Sequence, residues 1–344
     1  MRVLLIGDFR PLQDEGMRKL SHWFKTAVED GHVHRAVSTR LFGSLWALPS
    51  ILRFRPDCLH YLTGPTLRSL LALRLYKSIL PGPAFTVATG LRPFLGVAGR
   101  RLLFIYRPDY YLAQARRWCR VFAAAGTKTF DLPNAVDCTR NMPVSEQKKR
   151  ALRGAYGLPE GRPIVLHVGH VRANRNLDCL LDAQRSGRYQ VVVIGSPSQS
   201  EPGELRKRLE GGGCIVRTDF LPNVEEMYQA ADAYVFTVKP VAPAEYPRRY
   251  QEVGVIDFPL SILEAMANGL PVVTTRHDAV DYFLGDVSGL RYFDGTGLDC
   301  LQQLDALHGQ PVATRKAAER FDLIHVMTQL SAFYAEVGKR VGAT

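Results

Sequence analysis

Two stretches of this chain carry residues whose types and spacing suit the binding of phosphate and of sugar hydroxyls. The first is Leu166–Leu177, LHVGHVRANRNL. A buried strand is expected to end at Gly169, followed by a polar loop with His170, Arg172 and Arg175, and a helix starting near Asn174. A helix N-terminus presents unpaired N–H groups and about half a positive charge, which attract an anion. Gly169 would let the backbone approach a ligand, and the Arg175 guanidinium can fork onto two phosphate oxygens. Standing alone, the pattern fits an ordinary strand-to-helix loop with solvated arginines rather better.

The second stretch is Asp257–Thr275, DFPLSILEAMANGLPVVTT. Asp257 suits an N-cap, Pro259 the first turn and Gly269 the stop of a helix. Glu264 sits on that helix beside Leu260, Leu263 and Ala267, which form a packing face. A carboxylate there can accept both hydroxyls of a ribose, although an isolated helical glutamate is more commonly a solvated surface residue.

Positioning such groups requires a layered scaffold, and the hydrophobic pattern supplies one. Strand-like runs at Arg2–Gly7, Cys58–Leu62, Ala84–Ala88 and Lys128–Leu132 alternate with helical stretches such as Met17–Asp30. A second alternating set follows, with strands at Ile164–Val168, Gln190–Gly195, Cys214–Thr218, Ala233–Thr237 and Pro271–Thr275. Its helices are Leu177–Ala183, Glu204–Glu210, Val224–Ala231 and Leu260–Ala267, and Leu323–Val337 closes the chain. Alternation of this kind means α/β domains with mostly parallel sheets. The polar run Asn141–Gly161 is expected to divide a domain of residues 1–150 from one of 151–327, with residues 328–344 returning to the first. Ligands of open α/β folds bind outside the carboxyl ends of the strands, so a cleft between the two halves is the expected site.

The charge is uneven. Of the 44 Lys+Arg and 33 Asp+Glu, 24 and 10 respectively lie in residues 1–150, so that half holds all of the net +11. An anionic partner is expected there; nucleic acid, an anionic membrane surface and a phosphorylated acceptor all fit. Gly99–Phe122 and Arg68–Leu80 interleave arginines with Phe104, Tyr106, Tyr110, Tyr111 and Trp118. That pattern suits a membrane interface, nucleic-acid stacking or core aromatics with snorkelling arginines. The six scattered cysteines form no Cys-x-x-Cys pair, arguing against zinc and disulfides and for a reducing compartment. No apolar run is long enough to span a bilayer, so the expected location is cytoplasmic, with peripheral contact at the inner face of the membrane.

Five segments in order resemble the retaining glycosyltransferases of family 4. FPLSILEAMANGLPVVTT is similar to the family's signature, and LPNAVD (Leu132–Asp137) to its Pro-Asn-Gly-Val-Asp. VGHVRANRNLDCLLDA resembles the phosphate-binding strand, loop and helix, and FLPNVEEMYQAADAYVF (Phe220–Phe236) the lining of the nucleoside pocket. AERFDLIHVMTQLSAFYAEV resembles the closing helices. The likeness is good over residues 130–337 and loose before them.

The resemblance implies an α/β chain of GT-B fold, two facing Rossmann-like domains with a cleft between them. It also implies transfer from a UDP- or GDP-sugar to an acceptor hydroxyl. Arg175 takes the place of the phosphate-binding lysine, Glu264 that of the ribose-holding glutamate, and Gly16 that of the glycine beside the donor phosphates. Leu221 and Asn223 fall near the base, Leu260 and Ser261 near the diphosphate. Gly169, His170 and Gly195 complete the donor-side candidates, and Asp257 and His60 join Arg175 and Glu264 as catalytic candidates.

Three departures stand out. His170 replaces an arginine, and Ile256 replaces the family's first glutamate. The N-terminal histidine expected near the sugar has His60, at the end of an expected strand, as its best candidate, and a satisfied structural histidine fits that position at least as well. Asp257 or Glu252, from the long segment Lys239–Val255, are possible substitutes for the missing carboxylate, and that segment is expected to set specificity. No Asp-x-Asp, Gly-x-Gly-x-x-Gly, Gly-x-Ser-x-Gly or Walker loop occurs, so no metal and no further cofactor are expected; no nucleic-acid recognition module is visible, so no nucleic-acid partner is expected either. The expected partners are a nucleotide-sugar donor and a saccharide or lipid-linked acceptor. An epimerase acting on nucleotide sugars and a non-catalytic sugar-nucleotide-binding protein are the rival readings.

Overall fold

A computed structural model describes residues 1–11, 16–29, 31–82, 84–90, 95–196, 203–238, 258–276 and 278–341. The chain divides into two compact α/β units. Asp257 and the segment Lys239–Val255 lie outside the described residues.

The first unit is built on β1 (Arg2–Gly7), β2 (Val33–Ser38), β3 (Cys58–Tyr61), β4 (Phe85–Thr89), β5 (Tyr110–Ala113) and β6 (Lys128–Asp131). They form one parallel sheet in the order β2-β1-β3-β4-β5-β6. Val3, Leu4, Leu5 and Ile6 are buried without alternation, as a strand covered on both faces requires. Two strands carry no clear signal in sequence. β2 is an edge strand whose side chains are mostly exposed, and β5 lies inside the arginine-rich aromatic stretch. There Tyr110, Tyr111 and Trp118 are buried, and Tyr111 stacks on Phe122 at 3.8 Å between centroids. Those three aromatics are therefore core residues rather than part of a membrane-facing surface.

The C-terminal helix Leu323–Val341 belongs almost wholly to this first unit. It buries Val326, Leu330 and Tyr334, while Phe333 meets Tyr110 and Phe130 edge-on.

The second unit is built on β7 (Ile164–Val168), β8 (Gln190–Ile194), β9 (Ile215–Arg217), β10 (Ala233–Phe236), β11 (Val272–Thr275) and β12 (Leu290–Phe293). Its parallel order, β12-β11-β10-β7-β8-β9, is that of a dinucleotide-binding fold, with the reversal between β7 and β10. Valines 165, 191, 193, 235 and 273 centre its core.

The division falls between Asn134 and Ala135 rather than near residue 150. Val136 already belongs to the second unit: its N–H donates to Phe321 and its carbonyl accepts from Leu323 (2.8 and 2.9 Å). The polar run expected to be a linker contains the helix Glu146–Ala155, capped by Ser145. Lys149 and Arg153 on that helix both pair with Asp232, at 2.6 and 2.5 Å. Charge that reads as a linker in one dimension is here the polar side of a docked helix. Among the described residues, no helix is long and apolar enough to cross a membrane, and all six cysteines are free thiols.

Candidate functional site

The reversal point of the second sheet lies between the carboxyl ends of β7 and β10, and the residues singled out in sequence gather around it. Gly169 follows β7 directly, and its N–H donates to the carbonyl of Ile194 at 2.9 Å. A Cβ on Gly169 would lie 2.8 Å from Nε2 of His167, so the ring beneath it demands glycine. His167 is itself buried; its Nδ1 bonds the Val235 carbonyl at 2.9 Å, which makes Nδ1 the donor. Burial, assisted by the charge of Arg175, pushes its pKa down to about 4. The imidazole is neutral at pH 7, and its buried Nε2 lone pair has no hydrogen-bond partner.

Arg175 does not begin a helix. It closes a 3₁₀ turn, Ala173–Arg175, and Asn176 then adopts the left-handed conformation at φ 57°. A second 3₁₀ turn, Leu177–Cys179, precedes the helix Leu180–Arg185. Asn176 is pinned on both sides: its Nδ2 donates to Gly295 at 2.7 Å, and its carbonyl accepts from Thr237 at 3.2 Å. This detour is what turns the Arg175 side chain inward, where it is 5% exposed. Its guanidinium lies 5.9 Å from the ring centre of Phe236, the last residue of β10, a cation–π distance.

Glu264 is likewise buried, at 8% exposure. Its helix, Leu260–Ala267, has Pro259 at the N-cap position and no side-chain cap, leaving the first-turn N–H groups without a side-chain acceptor. Asn268 and then Gly269, at φ +74°, end it in a left-handed stop. The hydroxyl of Tyr228 donates to Oε2 of Glu264 at 2.9 Å. Tyr228 belongs to the helix Glu225–Ala230 and is fully buried.

Tyr234 of β10 brings the two motifs together. Its hydroxyl donates to the carbonyl of Val168 at 3.2 Å. Burial raises its pKa strongly, Ser261 at the start of the Glu264 helix lies near enough to lower it, and the charges of Glu264 and Arg175 push it in opposite directions. One buried phenol thus touches the end of β7 and the start of the Glu264 helix, in the fields of a guanidinium and a carboxylate.

The remaining candidates are less concentrated. Gly195 is buried at the end of β8, its N–H donating to Arg217 at 2.7 Å. His170 and Leu221 are half-buried, Asn223 is exposed, and Leu260 is buried. Gly16 opens the first helix of the other unit, after the loop in which Asp8 binds Arg10 and Arg18. His60 is fully buried in that unit, between Tyr334 at Nδ1 and Thr89 at Nε2 (2.7 Å). Burial drops its pKa to about 3. With both nitrogens occupied it anchors the C-terminal helix and offers nothing to a ligand.

His167, Tyr228, Tyr234 and Phe236 are the site residues that the sequence did not single out. Tyr228 and Glu264 are 36 positions apart, so only the fold reveals their bond. Among the described residues no group of three His, Cys, Asp or Glu is placed to hold a metal ion. A shallow cavity of about 450 Å³ elsewhere in the second unit, lined in part by Arg276, Arg291 and Tyr292, includes none of these residues.

Residues 162–294 match the family described as glycosyl transferases group 1. A D-inositol 3-phosphate glycosyltransferase of Mycobacterium leprae is 30% identical over 52% of this chain and 40% of its own length. The lipopolysaccharide core biosynthesis mannosyltransferase LpsB of Rhizobium meliloti is 25% identical over 78% of each chain. Against the first curated relatives the match spans 32% to 40% of their own length. The crystal structure of Anabaena HepE, in complex with UDP and glucose, superposes with a TM-score of 0.71 at 17% identity, covering 98% of this chain and 100% of that one. The chain has the two-domain α/β GT-B fold, and its likeness to the glycosyl transferases group 1 family is carried by residues 162–294.

Proposed function

We propose that this chain transfers a sugar from a UDP- or GDP-linked donor to an acceptor hydroxyl, with the donor held in the second unit. The observation that carries the reading is that two buried charges flank β10 at the reversal of the sheet: Arg175 lies 5.9 Å from the Phe236 ring, and Glu264 is held by Tyr228, whose ring is 5.6 Å from that of Tyr234. In this reading Glu264 accepts the ribose hydroxyls. Arg175 and the first N–H groups of the Leu260–Ala267 helix take up charge on the leaving diphosphate, the main electrostatic task of the reaction. UDP is the favoured nucleotide because the similar HepE structure is a complex with UDP.

The acceptor oxygen attacks the anomeric carbon as its bond to the β-phosphate oxygen breaks, and the acceptor proton passes to that leaving oxygen. Attack from the donor's own face retains the anomeric configuration, and no metal is assigned a part. The catalytic candidates are Arg175 and Glu264, with Asp257 as a further carboxylate. We assign the acceptor to a lipid-linked or cell-surface saccharide, and the location to the cytoplasm with peripheral contact at the inner membrane face. The acceptor and the membrane contact follow from the basic first unit, the cytoplasmic location from the scattered cysteines.

A thermal-shift screen against UDP, GDP, ADP and their sugars tests this. A ligand at a hundredfold excess over its Kd adds about 2.7 kcal/mol of stability, and Arg175→Ala or Glu264→Ala should abolish the shift. No shift with any nucleotide sugar defeats the reading. Interconversion of a free nucleotide sugar without acceptor identifies an epimerase, and binding with neither hydrolysis nor transfer a non-catalytic protein. An inverted product anomer removes the retaining mechanism alone.

A further inference from the structure

The helix Leu67–Ile79 of the first unit is apolar on both sides. Its inner face buries Leu70, Leu73 and Tyr76, as any docked helix would. Its outer face presents Leu71, Leu75 and Ile79 at i, i+4 and i+8, exposed at 39%, 59% and 42%. A helix facing only water has no reason to spend that stripe on aliphatic residues. The short helix Leu103–Tyr106 packs against it and adds the exposed side chains of Phe104 and Ile105.

The charge around this surface has one sign. From Cys58 to Pro108 the chain contains no aspartate or glutamate, while Arg68, Arg74 and Arg101 are exposed on or beside the two helices. None of these three has a carboxylate partner among the described residues, whereas the nearby Lys77 is held by Asp109 at 2.7 Å. An apolar patch rimmed by unpaired cations calls for an occupant that is apolar within and anionic at its border.

We propose that this surface docks onto an anionic lipid bilayer, the aliphatic side chains entering the headgroup boundary and the arginines resting on lipid phosphates. A second copy of this chain fits worse, because a twofold contact would set the same arginines against each other. Nucleic acid fits worse too, since its stacking platforms are aromatic and only Phe104 here is. The inference gives the membrane contact of the proposed function a location and rests on that reading only for its purpose.

Flotation of the full chain with phosphatidylcholine vesicles, with and without phosphatidylglycerol, tests the surface. Binding should require phosphatidylglycerol and weaken with salt. Arg68→Gln and Arg101→Gln should each lower partitioning about fivefold, and Leu75→Ser with Phe104→Ser by about tenfold or more. Lys207→Gln, on the second unit, should change nothing, and nucleotide-induced thermal shifts should persist in every variant. Failure of the folded chain to float, equal binding to pure phosphatidylcholine, or indifference to Leu75→Ser with Phe104→Ser overturns the proposal. So does a dimer that the same pair of substitutions abolishes. A chain that floats yet binds no nucleotide sugar keeps this surface and loses the donor reading; the converse result loses the surface alone.

Discussion

Replacing Tyr228 by phenylalanine removes one oxygen from the middle of the proposed donor site and little else. The ring would keep its packing, 5.6 Å from that of Tyr234. What disappears is a 2.9 Å hydrogen bond from a fully buried hydroxyl to the carboxylate of Glu264. Burial, followed by the charge of Glu264, raises the phenol's pKa well above its ordinary value, so it remains a donor across the neutral range. A buried hydrogen bond to a charged acceptor is worth about 1.5–3 kcal/mol, and urea melts of the Tyr228→Phe protein should show a loss of that size. A glutamate side chain held by one bond fewer is less well ordered before donor binds, at a cost of up to about 2 kcal/mol. Affinity for the nucleotide sugar should therefore fall by about tenfold in titration calorimetry. A cycle with Glu264→Gln separates the two effects. The pair should couple by at least about 0.5 kcal/mol, because the two groups share one bond. Affinity that stays at the wild-type value while stability drops would leave Tyr228 a packing residue and detach Glu264 from the donor. A coupling near zero would deny the bond itself.

Two further outcomes follow from the same geometry. Gly169→Ala would drive a methyl group to 2.8 Å from Nε2 of His167, a ring already tied to Val235. Overpacking there should cost about 1–3 kcal/mol in a denaturant melt and weaken nucleotide binding; wild-type stability and affinity would contradict the placement of that ring. On the pH axis, His60 and His167 have folded pKa values pushed from 6.5 to about 3 and about 4 by burial. The unfolded imidazoles bind protons below 6.5 that the folded ones refuse, so their contribution is complete above that pH and is lost as the pH falls. Each should take away about 1.4 kcal/mol per pH unit within its window. Asp8, held to about 2 by its hydrogen bond to Arg10, enters only below its ordinary value of 3.8. Urea melts that stay level as the pH drops from 6.5 toward 4 would show that the two histidines are solvated.

Much of the molecule was legible from local patterns. The runs RVLLIG, IVLHV and QVVVI are strands because continuous apolar residues leave no polar face to solvent. Gly269 ends its helix where the sequence placed the stop, because only glycine takes φ +74° cheaply. Edge strand β2 was hidden by its exposed side chains, and β5 by its arginine-rich neighbours. The helix Glu146–Ala155 read as a linker because its partner, Asp232, lies in a distant part of the chain.

The sequence by itself determined the α/β class, the two-unit plan and the two charged residues proposed to hold the donor, since these depend on periodicity and on side-chain chemistry. Tertiary structure decided what surrounds them. It turned Arg175 inward through a left-handed Asn176, set Tyr228 on Glu264, and withdrew His60 from any ligand by occupying both of its nitrogens. The reason is distance along the chain: a hydrogen bond between residues tens or hundreds of positions apart leaves no local trace in composition or spacing. Only the packing that closes those long loops can fix which polar atoms meet and which remain for a substrate.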